Sequence, residues 1–303
     1  MSINEPGYAG TGSSEPALPA RERKLLEPLV HLVLDVDGTL ALDETLLPST
    51  AGFLATLEDL GITFTVVTNN SSRSKAEHGA RLRRMGMNIE TDAVIVSTEA
   101  TLDYLTASFP GVKRLFLLGP PAFQNEFSEC GFELCADDPE DEPDAVVVGF
   151  DTSLTYDRLC RAAYWIKQGK KYFATHPDLV CPTDRPTVLV DCGSIISCLK
   201  SATGREPDAI LGKPSPQMLH TVRNRHGLKC NQVAMVGDRL YTDMAMAHAA
   251  EVPAILVLCG ESTREEGESV RPAPDLIVAD AGELSRLLIM AKRHGKVDQT
   301  AID

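Results

Sequence analysis

The stretch HLVLDVDGTL at residues 31–40 decides the fold of this 303-residue chain. Its first four residues form a short, mostly apolar run, which is typical of a strand buried in a parallel sheet. Asp35 and Asp37 follow this run directly, and Gly38 permits a sharp exit from the strand. Because side chains at i and i+2 of an extended segment point the same way, the two carboxylates are predicted to face the same side.

Outward from this stretch, apolar strand runs alternate with helix-like segments along the chain, which predicts an α/β fold with a parallel sheet. The pattern restarts near residue 110 and returns to its first form at DAILGKPSP, residues 208–216. The simplest organisation is a Rossmann-like core interrupted by an inserted α/β domain. The predicted boundaries are a flexible tail at 1–23, the core at 24–108 and 207–303, and the insertion at 109–206.

Composition narrows the classes of partner and compartment. The formal net charge of −14 opposes binding to nucleic acid or to an anionic membrane surface. No apolar run reaches the roughly 18–20 residues of a membrane span, and no signal-peptide pattern opens the chain. The eight cysteines form no CxxC pair, which favours reduced thiols over a zinc site. We therefore expect a cytoplasmic enzyme or binding protein.

Polar residues stand directly after four of the predicted strands. In an open parallel sheet, ligands bind beyond the carboxyl ends of the strands, so these residues are expected to converge on one crevice. They are Asp35 and Asp37, then Thr68, Asn69 and Asn70, then Lys213, and finally Asp238 and Asp243.

This set of residue types points to phosphoryl chemistry. Crowded carboxylates repel one another unless a divalent cation compensates their charge, and oxygen ligands suit Mg²⁺. Mg²⁺ beside Lys213 and hydroxyl donors would receive a phosphoryl group. Asp35 can then attack phosphorus while Asp37 protonates the leaving oxygen. The aspartyl-phosphate on Asp35 would be hydrolysed by a water that Asp37 deprotonates.

The same residues resemble the four motifs of the haloacid dehalogenase (HAD) superfamily. The motifs are DVDGT at 35–39, VVTNN at 66–70, GKPSP at 212–216 and VGDRLYTD at 236–243. The insertion lies between the second and third motifs, as in the C2-capped subgroup of NagD-like and p-nitrophenyl phosphatase-like enzymes. The segments AAYWIKQGKKYFATHPD and GKPSPQML add to this similarity. The resemblance implies a HAD core with a C2-type cap that selects the substrate.

The resemblance also implies roles around a magnesium ion. Asp35 would be the nucleophile and a metal ligand. Asp37 would be the acid/base and would give its backbone carbonyl to the metal. Asp238 would complete the metal site, and Asp243 would orient Lys213 or metal-bound waters.

Further roles concern the phosphoryl group and the leaving group. Thr68 and the backbone of Asn69 would hold phosphoryl oxygens, and Lys213 would balance charge in the pentacoordinate state. Asn70 would either bind substrate or only cap the next turn. His176 follows a predicted cap strand and stands where the subgroup often has asparagine, so we expect it to contact the leaving group; the alternative is a solvated loop histidine.

A plainer interpretation of Lys213 is an exposed lysine before a helix that Ser215 caps and Pro216 begins. The leading function is a Mg²⁺-dependent phosphatase for small phosphomonoesters, such as a sugar phosphate or phosphoglycolate. A phosphomutase and a non-catalytic phosphoacceptor or regulatory protein are the alternatives. A homodimer formed through the cap is a further expectation from the resemblance.

Overall fold

The computed structural model describes residues 18–183 and 185–297, and short apolar runs form most of its strands. The strands are β1 His31–Leu34, β2 Ala41–Leu42, β3 Thr45–Leu46, β4 Thr63–Thr68, β5 Val94–Val96, β6 Arg114–Leu118, β7 Glu133–Leu134, β8 Ala145–Val148, β9 Lys171–Ala174, β10 Val180–Cys181, β11 Leu189–Val190, β12 Ala209–Ile210, β13 Val233–Gly237, β14 Ala254–Val257 and β15 Leu276–Val278. The α-helices are α1 Ala20–Leu26, α2 Thr50–Leu60, α3 Lys75–Arg84, α4 Ser97–Ser108, α5 Pro121–Glu129, α6 Tyr156–Lys167, α7 Cys192–Thr203, α8 Gln217–His226, α9 Ala245–Ala249, α10 Arg264–Ser269 and α11 Ala281–Val297.

The central sheet has six strands in the order β15-β14-β13-β1-β4-β5, and all of its neighbouring pairs are parallel. β1 lies in its middle, where Leu34 pairs with Val236 of β13 and with Val66 of β4. The prediction of an α/β fold with a parallel sheet is therefore confirmed. This order brings the ends of β1, β4 and β13 side by side.

Apolar residues alternate between the two faces of the central sheet, as the period of a strand requires. Leu32 and Leu34 of β1 pack into the cluster that contains Phe53 of α2, whereas Val33 packs into the opposite cluster with Met218 of α8. Helices thus cover both faces of the sheet. Because both faces are covered, the strand ends with their polar residues are where a functional site is expected.

The second sheet is built by the inserted segment. Its order is β12-β9-β8-β6-β7, again with parallel pairs. Ala209 and Ile210 pair with β9 of this sheet, so the prediction that the core resumes at residue 207 is wrong by one strand. A two-residue apolar run does not encode its pairing partner, which depends on where the rest of the chain places a free sheet edge.

The expected tail at 1–23 is too long at its C-terminal end. Residues 20–23 belong to helix α1, which packs on α11 with Leu26 fully buried. That burial offsets the entropy cost of ordering the helix. The rest of the predicted tail, apart from Leu18 and Pro19, lies outside the described residues.

Two properties of the described chain bear on the sequence-based expectations. Among these residues, none of the helices combines the length and the apolar character needed to cross a membrane. All eight cysteines are described, and all are free thiols.

Acid should weaken the fold through His31, which is fully buried at the start of β1. Its ring nitrogens lie 2.7 Å from Thr63 Oγ1 and 3.0 Å from Thr65 Oγ1. Burial and the nearby His226 lower the pKa of His31 to about 4. The unfolded chain therefore takes up the proton first, and this stabilisation is lost as the pH falls from about 6.5 towards 4.

We expect the free energy of unfolding to fall by about 2 kcal/mol between pH 7 and pH 4.5 through this histidine alone. Urea titrations of the wild type and of His31→Gln at both pH values measure it. Glutamine keeps polar hydrogen-bonding atoms without titrating, so the variant should lose about 2 kcal/mol less than the wild type. Parallel pH profiles for the two proteins would contradict the assignment to His31.

Candidate active site

Asp35 and Asp37 lie where β1 leaves the sheet. The backbone amide of Asp35 still donates to Val236 O at 2.9 Å, and its carboxylate is buried at the strand end. Gly38 has φ +95°, and a Cβ atom there would overlap Asp238 Oδ2. The chain can therefore turn out of the sheet beneath Asp238 only because residue 38 lacks a side chain.

Lys213 lies between two carboxylates at the centre of the site. Its Nζ donates to Asp35 Oδ1 and forms an ion pair with Asp243 Oδ1 at 2.7 Å. Burial alone would lower the pKa of Lys213, but the charges of Asp243 and Asp35 more than compensate and raise it, so the ammonium stays charged. The lysine is 3% exposed, and α8 begins at Gln217 without a cap from Ser215. The interpretation of Lys213 as an exposed lysine before a capped helix is therefore wrong.

Asp238 and Asp243 come from the end of β13 and the π-helical turn that follows it, Leu240–Met244. Asp243 Oδ2 accepts from the Arg239 amide at 3.1 Å, and Asp238 accepts from the Glu261 amide at 2.8 Å. Burial and the charge of Asp35 raise the pKa of Asp238 to about 7. For Asp243, burial raises the pKa to about 6 although Lys213 opposes the shift. The site holds more negative charge than Lys213 alone neutralises.

The residues present fit a divalent cation. Asp35, Asp238 and Asp243 each offer a carboxylate oxygen, and these atoms lie within 4.8 Å of one another. All three residues are buried. The three carboxylates are crowded, and two of them have raised pKa values. Such a set of oxygen donors suits a hard ion such as Mg²⁺.

The strand end of β4 supplies hydroxyl and amide groups to the same place. Thr68 Oγ1 accepts from the Asn70 amide at 3.1 Å, which leaves the hydroxyl proton for another partner. Asn69 clamps Lys213: its Oδ1 accepts from the Lys213 amide at 2.8 Å, and its Nδ2 donates to the Lys213 carbonyl at 3.0 Å. Asn70 Oδ1 accepts from the Ser72 amide and hydroxyl, as the capping alternative predicts, yet Asn70 also lines the cavity.

His176 does not face this cavity. Its side chain is fully buried, with Nδ1 2.7 Å from Thr175 Oγ1 and Nε2 2.8 Å from Asp191 Oδ1. Burial alone would lower the pKa of His176, but the neighbouring Asp191 carboxylate reverses this and raises it. Both the leaving-group contact and the solvated-loop alternative are therefore wrong for this side chain. Asp178 and Asp191 line the cavity instead.

A salt bridge between the cap and the core was not predicted from the sequence. Arg239 Nη1 lies 3.1 Å from Asp178 Oδ2, and Asp178 Oδ1 accepts from Asn69 Nδ2 at 3.3 Å. Arg239 and Asp178 are both nearly buried. The position of Arg239 directly after Asp238 was the available signal, but nothing in the sequence links it to a residue of the insertion.

The cavity enclosed by these groups is small. Its lining is shared by the core and the cap, and consists of Asp35, Asp37, Thr68, Asn69, Asn70, Asp178, Cys181, Pro182, Asp191, Lys213 and Arg239. Its volume is about 20 Å³, room for about one water molecule. A phosphate ester cannot occupy it until the cap moves away from the core.

The chain is similar to known hydrolases and phosphatases. Two family models match, "Haloacid dehalogenase-like hydrolase" over residues 32–133 and a HAD-hydrolase-like model over 210–284. The acid sugar phosphatase of Staphylococcus saprophyticus is 30% identical over 257 residues, which are 84% of this chain and 96% of that protein. The ribonucleotide monophosphatase NagD of Escherichia coli is 28% identical over 254 residues, 84% of this chain and 97% of that protein. The crystal structure of a 4-nitrophenylphosphatase from Thermotoga maritima is 40% identical with a TM-score of 0.79, and the match covers 86% of this chain and 98% of that one.

Proposed function

Because this chain belongs to the haloacid dehalogenase-like hydrolases, we propose that it is a Mg²⁺-dependent phosphatase that works through an aspartyl-phosphate on Asp35. Its relatives are phosphatases, so the chain is a phosphoric monoester hydrolase for small phosphorylated substrates. The observation that carries the finer proposal is the place of Lys213 Nζ between Asp35 and Asp243, beside Asp238. A buried cation and three carboxylates at one sheet edge are suited to holding and transferring a phosphoryl group.

Asp35, Asp238 and the backbone carbonyl of Asp37 would hold the magnesium ion. Asp243 is engaged by Lys213 and by the Arg239 amide, so it orients the lysine. When bound, the ion neutralises charge on the phosphoryl oxygens. Burial and then the charge of Asp35 raise the pKa values of Asp238 and Asp243, so both carboxylates would be held in their charged form beside a bound cation.

In the first step, a carboxylate oxygen of Asp35 attacks phosphorus and the bond from phosphorus to the leaving oxygen breaks. Asp37 gives its proton to that oxygen, so an alcohol departs. Burial raises the pKa of Asp37, although Arg81 opposes this shift, which favours the proton-carrying form that the step needs. Lys213 and the Thr68 hydroxyl balance the charge on the phosphoryl oxygens.

In the second step, water attacks phosphorus and Asp37 takes its proton. The bond between phosphorus and the Asp35 oxygen breaks, which releases phosphate and restores the Asp35 carboxylate. This return of the proton readies Asp37 for the next turnover. A phosphomutase would pass the phosphoryl group to a sugar, and a phosphoacceptor protein would retain it for minutes.

The cap controls access to these groups. The Asp178–Arg239 and Asp178–Asn69 contacts close the cap on the core over the small cavity. We propose that they open to admit substrate and close again to exclude water during transfer. An enclosed site of this kind favours a small metabolite, such as a sugar phosphate or phosphoglycolate.

Phosphate release from p-nitrophenyl phosphate, with Mg²⁺ and with EDTA, tests the function. We expect turnover with Mg²⁺ and a loss of at least 100-fold when EDTA removes it, because the carboxylates then repel the phosphoryl group. Millimolar Mg²⁺ should also raise the melting temperature by several degrees, since it binds only the folded site. A panel of small phosphomonoesters would then rank the substrates. Full activity in EDTA, or a phosphorylated Asp35 that persists without turnover, would contradict the proposal.

We also propose a cytoplasmic homodimer formed through the cap. The free thiols are consistent with a reducing compartment. The β10–β11 hairpin and its flanks expose four apolar side chains on the cap, namely Leu179, Val180, Val188 and Val190. Such a patch suits a partner surface. Sedimentation equilibrium showing only single copies at micromolar concentration would reject the dimer.

A further inference from the structure

Arg81 is the largest charged side chain buried beneath the candidate site. It lies on the buried face of α3 with His78 and Leu82, and it is 2% exposed. The other arginines of α3 and its N-terminal flank are all more exposed than Arg81; they are Arg73, Arg83 and Arg84. A buried guanidinium requires partners that offset its lost hydration.

The partners of Arg81 lie on the segment that follows β1. Nη2 donates to Asp37 Oδ1 at 2.9 Å and also to the carbonyl of Asp43, and Nε lies 3.4 Å from Glu44 Oε1. Asp43 occupies the turn between β2 and β3 with φ +49°. One guanidinium thus ties the side chain of Asp37 to the neighbouring hairpin.

The contact fixes which oxygen of Asp37 is available. Oδ1 accepts from Arg81, and no hydrogen bond from the described residues reaches Oδ2. An oxygen that accepts from a cationic donor is the poorer place for a proton. The proton of a protonated Asp37 therefore sits on Oδ2, while the guanidinium holds the plane of the carboxyl group.

We propose that Arg81 is a positioning residue that holds the Asp37 carboxyl with Oδ2 towards the leaving-group oxygen. The proposal rests on the proposed phosphatase function, in which Asp37 is the proton donor. Without Arg81 the carboxyl group can rotate about two bonds, and fewer of its orientations deliver the proton. The loss of Arg81 therefore lowers the rate most for substrates whose leaving oxygen cannot depart without a proton.

Leaving groups of different basicity distinguish this role from a merely structural one. p-Nitrophenolate departs as a stable anion and needs little proton donation, whereas a sugar alkoxide needs it strongly. The parameter kcat/KM reports the step in which the leaving group departs. The ratio of kcat/KM for the two substrates is independent of how much of a preparation is folded.

The experiment measures kcat/KM of wild type, Arg81→Gln, Arg81→Lys and Arg84→Gln with p-nitrophenyl phosphate and with the sugar phosphate that wild type hydrolyses fastest. Arg84 is the matched control, because it is 66% exposed at its side chain and reaches Glu44 at 3.9 Å. We expect Arg81→Gln to lose at least tenfold more on the sugar phosphate than on p-nitrophenyl phosphate. Arg84→Gln should keep the wild-type ratio.

Arg81→Lys should give a ratio between these two, because lysine keeps the positive charge but loses the planar group that directs Nη2 at both acceptors while Nε faces Glu44. If Arg81→Gln fails to fold, this variant carries the test. An equal loss on both substrates in the folded variants, or no loss, would overturn the positioning role. Wild-type protein that hydrolyses neither substrate would instead reject the proposed function.

Discussion

Replacing Asp35 with asparagine should lower kcat for phosphomonoester hydrolysis on the order of 10⁴-fold, a loss typical of removing a nucleophile. An amide oxygen is a far weaker nucleophile than the carboxylate that lies at the end of β1 beside Lys213. Asparagine has nearly the same shape, so the strand end and its amide bond to Val236 O should persist. Phosphate release at saturating substrate and Mg²⁺ measures the loss.

The fold of this variant should survive because the substitution removes negative charge from a crowded site. Burial raises the pKa values of Asp238 and Asp243 most, and the charge of Asp35 raises them further, so neutralising residue 35 removes that repulsion. Asp43→Asn is a matched control, since asparagine tolerates the positive φ of residue 43. The control should keep activity within about threefold of wild type. Comparable activity in Asp35→Asn and Asp43→Asn would exclude Asp35 as the nucleophile.

Replacing Lys213 with methionine should damage both activity and stability. Methionine keeps much of the length of the side chain but leaves Asp35 and Asp243 without their shared cation. Breaking a buried ion pair on one side costs about 3–5 kcal/mol of stability. The loss of a charge that faces the transition state should lower kcat about 100- to 1000-fold.

Urea unfolding and phosphatase assays measure both effects in Lys213→Met. Lys200→Met is the control, because it changes an exposed lysine instead of the buried one. Lys200 pairs with Glu206 on the surface, so its loss should change the free energy of unfolding by no more than about 1 kcal/mol. Excess Mg²⁺ should recover part of the stability of Lys213→Met, because it replaces missing positive charge, but not its activity. Equal stability and activity in both variants would show that the buried lysine has neither role.

The polar residues that the sequence did predict for the site lie at the end of a strand or within a few residues after it. Asp35, Thr68 and Asp238 lie where the apolar runs end, and parallel pairing brings adjacent strand ends together. Local patterns therefore predicted both the α/β class and the residues of the crevice. Lys213 was also predicted, although its apolar run, Ala209–Ile210, pairs in the cap sheet.

The errors concern contacts between segments far apart in the chain. His176 was expected to face the substrate because it follows a cap strand, but its ring turns into the cap to meet Asp191. The direction of a side chain beyond a strand depends on which buried group can satisfy it. That group, at the N-cap of α7, follows a segment whose path the local sequence pattern does not predict.

The sequence by itself determined the alternation of strands and helices, the four motifs and the residues from which the phosphoryl-transfer site is proposed. Those features depend on neighbours along the chain and on the common direction of parallel strands. Only the tertiary structure decided that Arg81, 44 residues from Asp37, donates to its carboxyl group, and that Arg239 meets Asp178 of the cap. The physical reason is that a buried charge is stabilised by whichever opposite charge the packing places within a few ångströms, and packing joins segments that no local pattern relates.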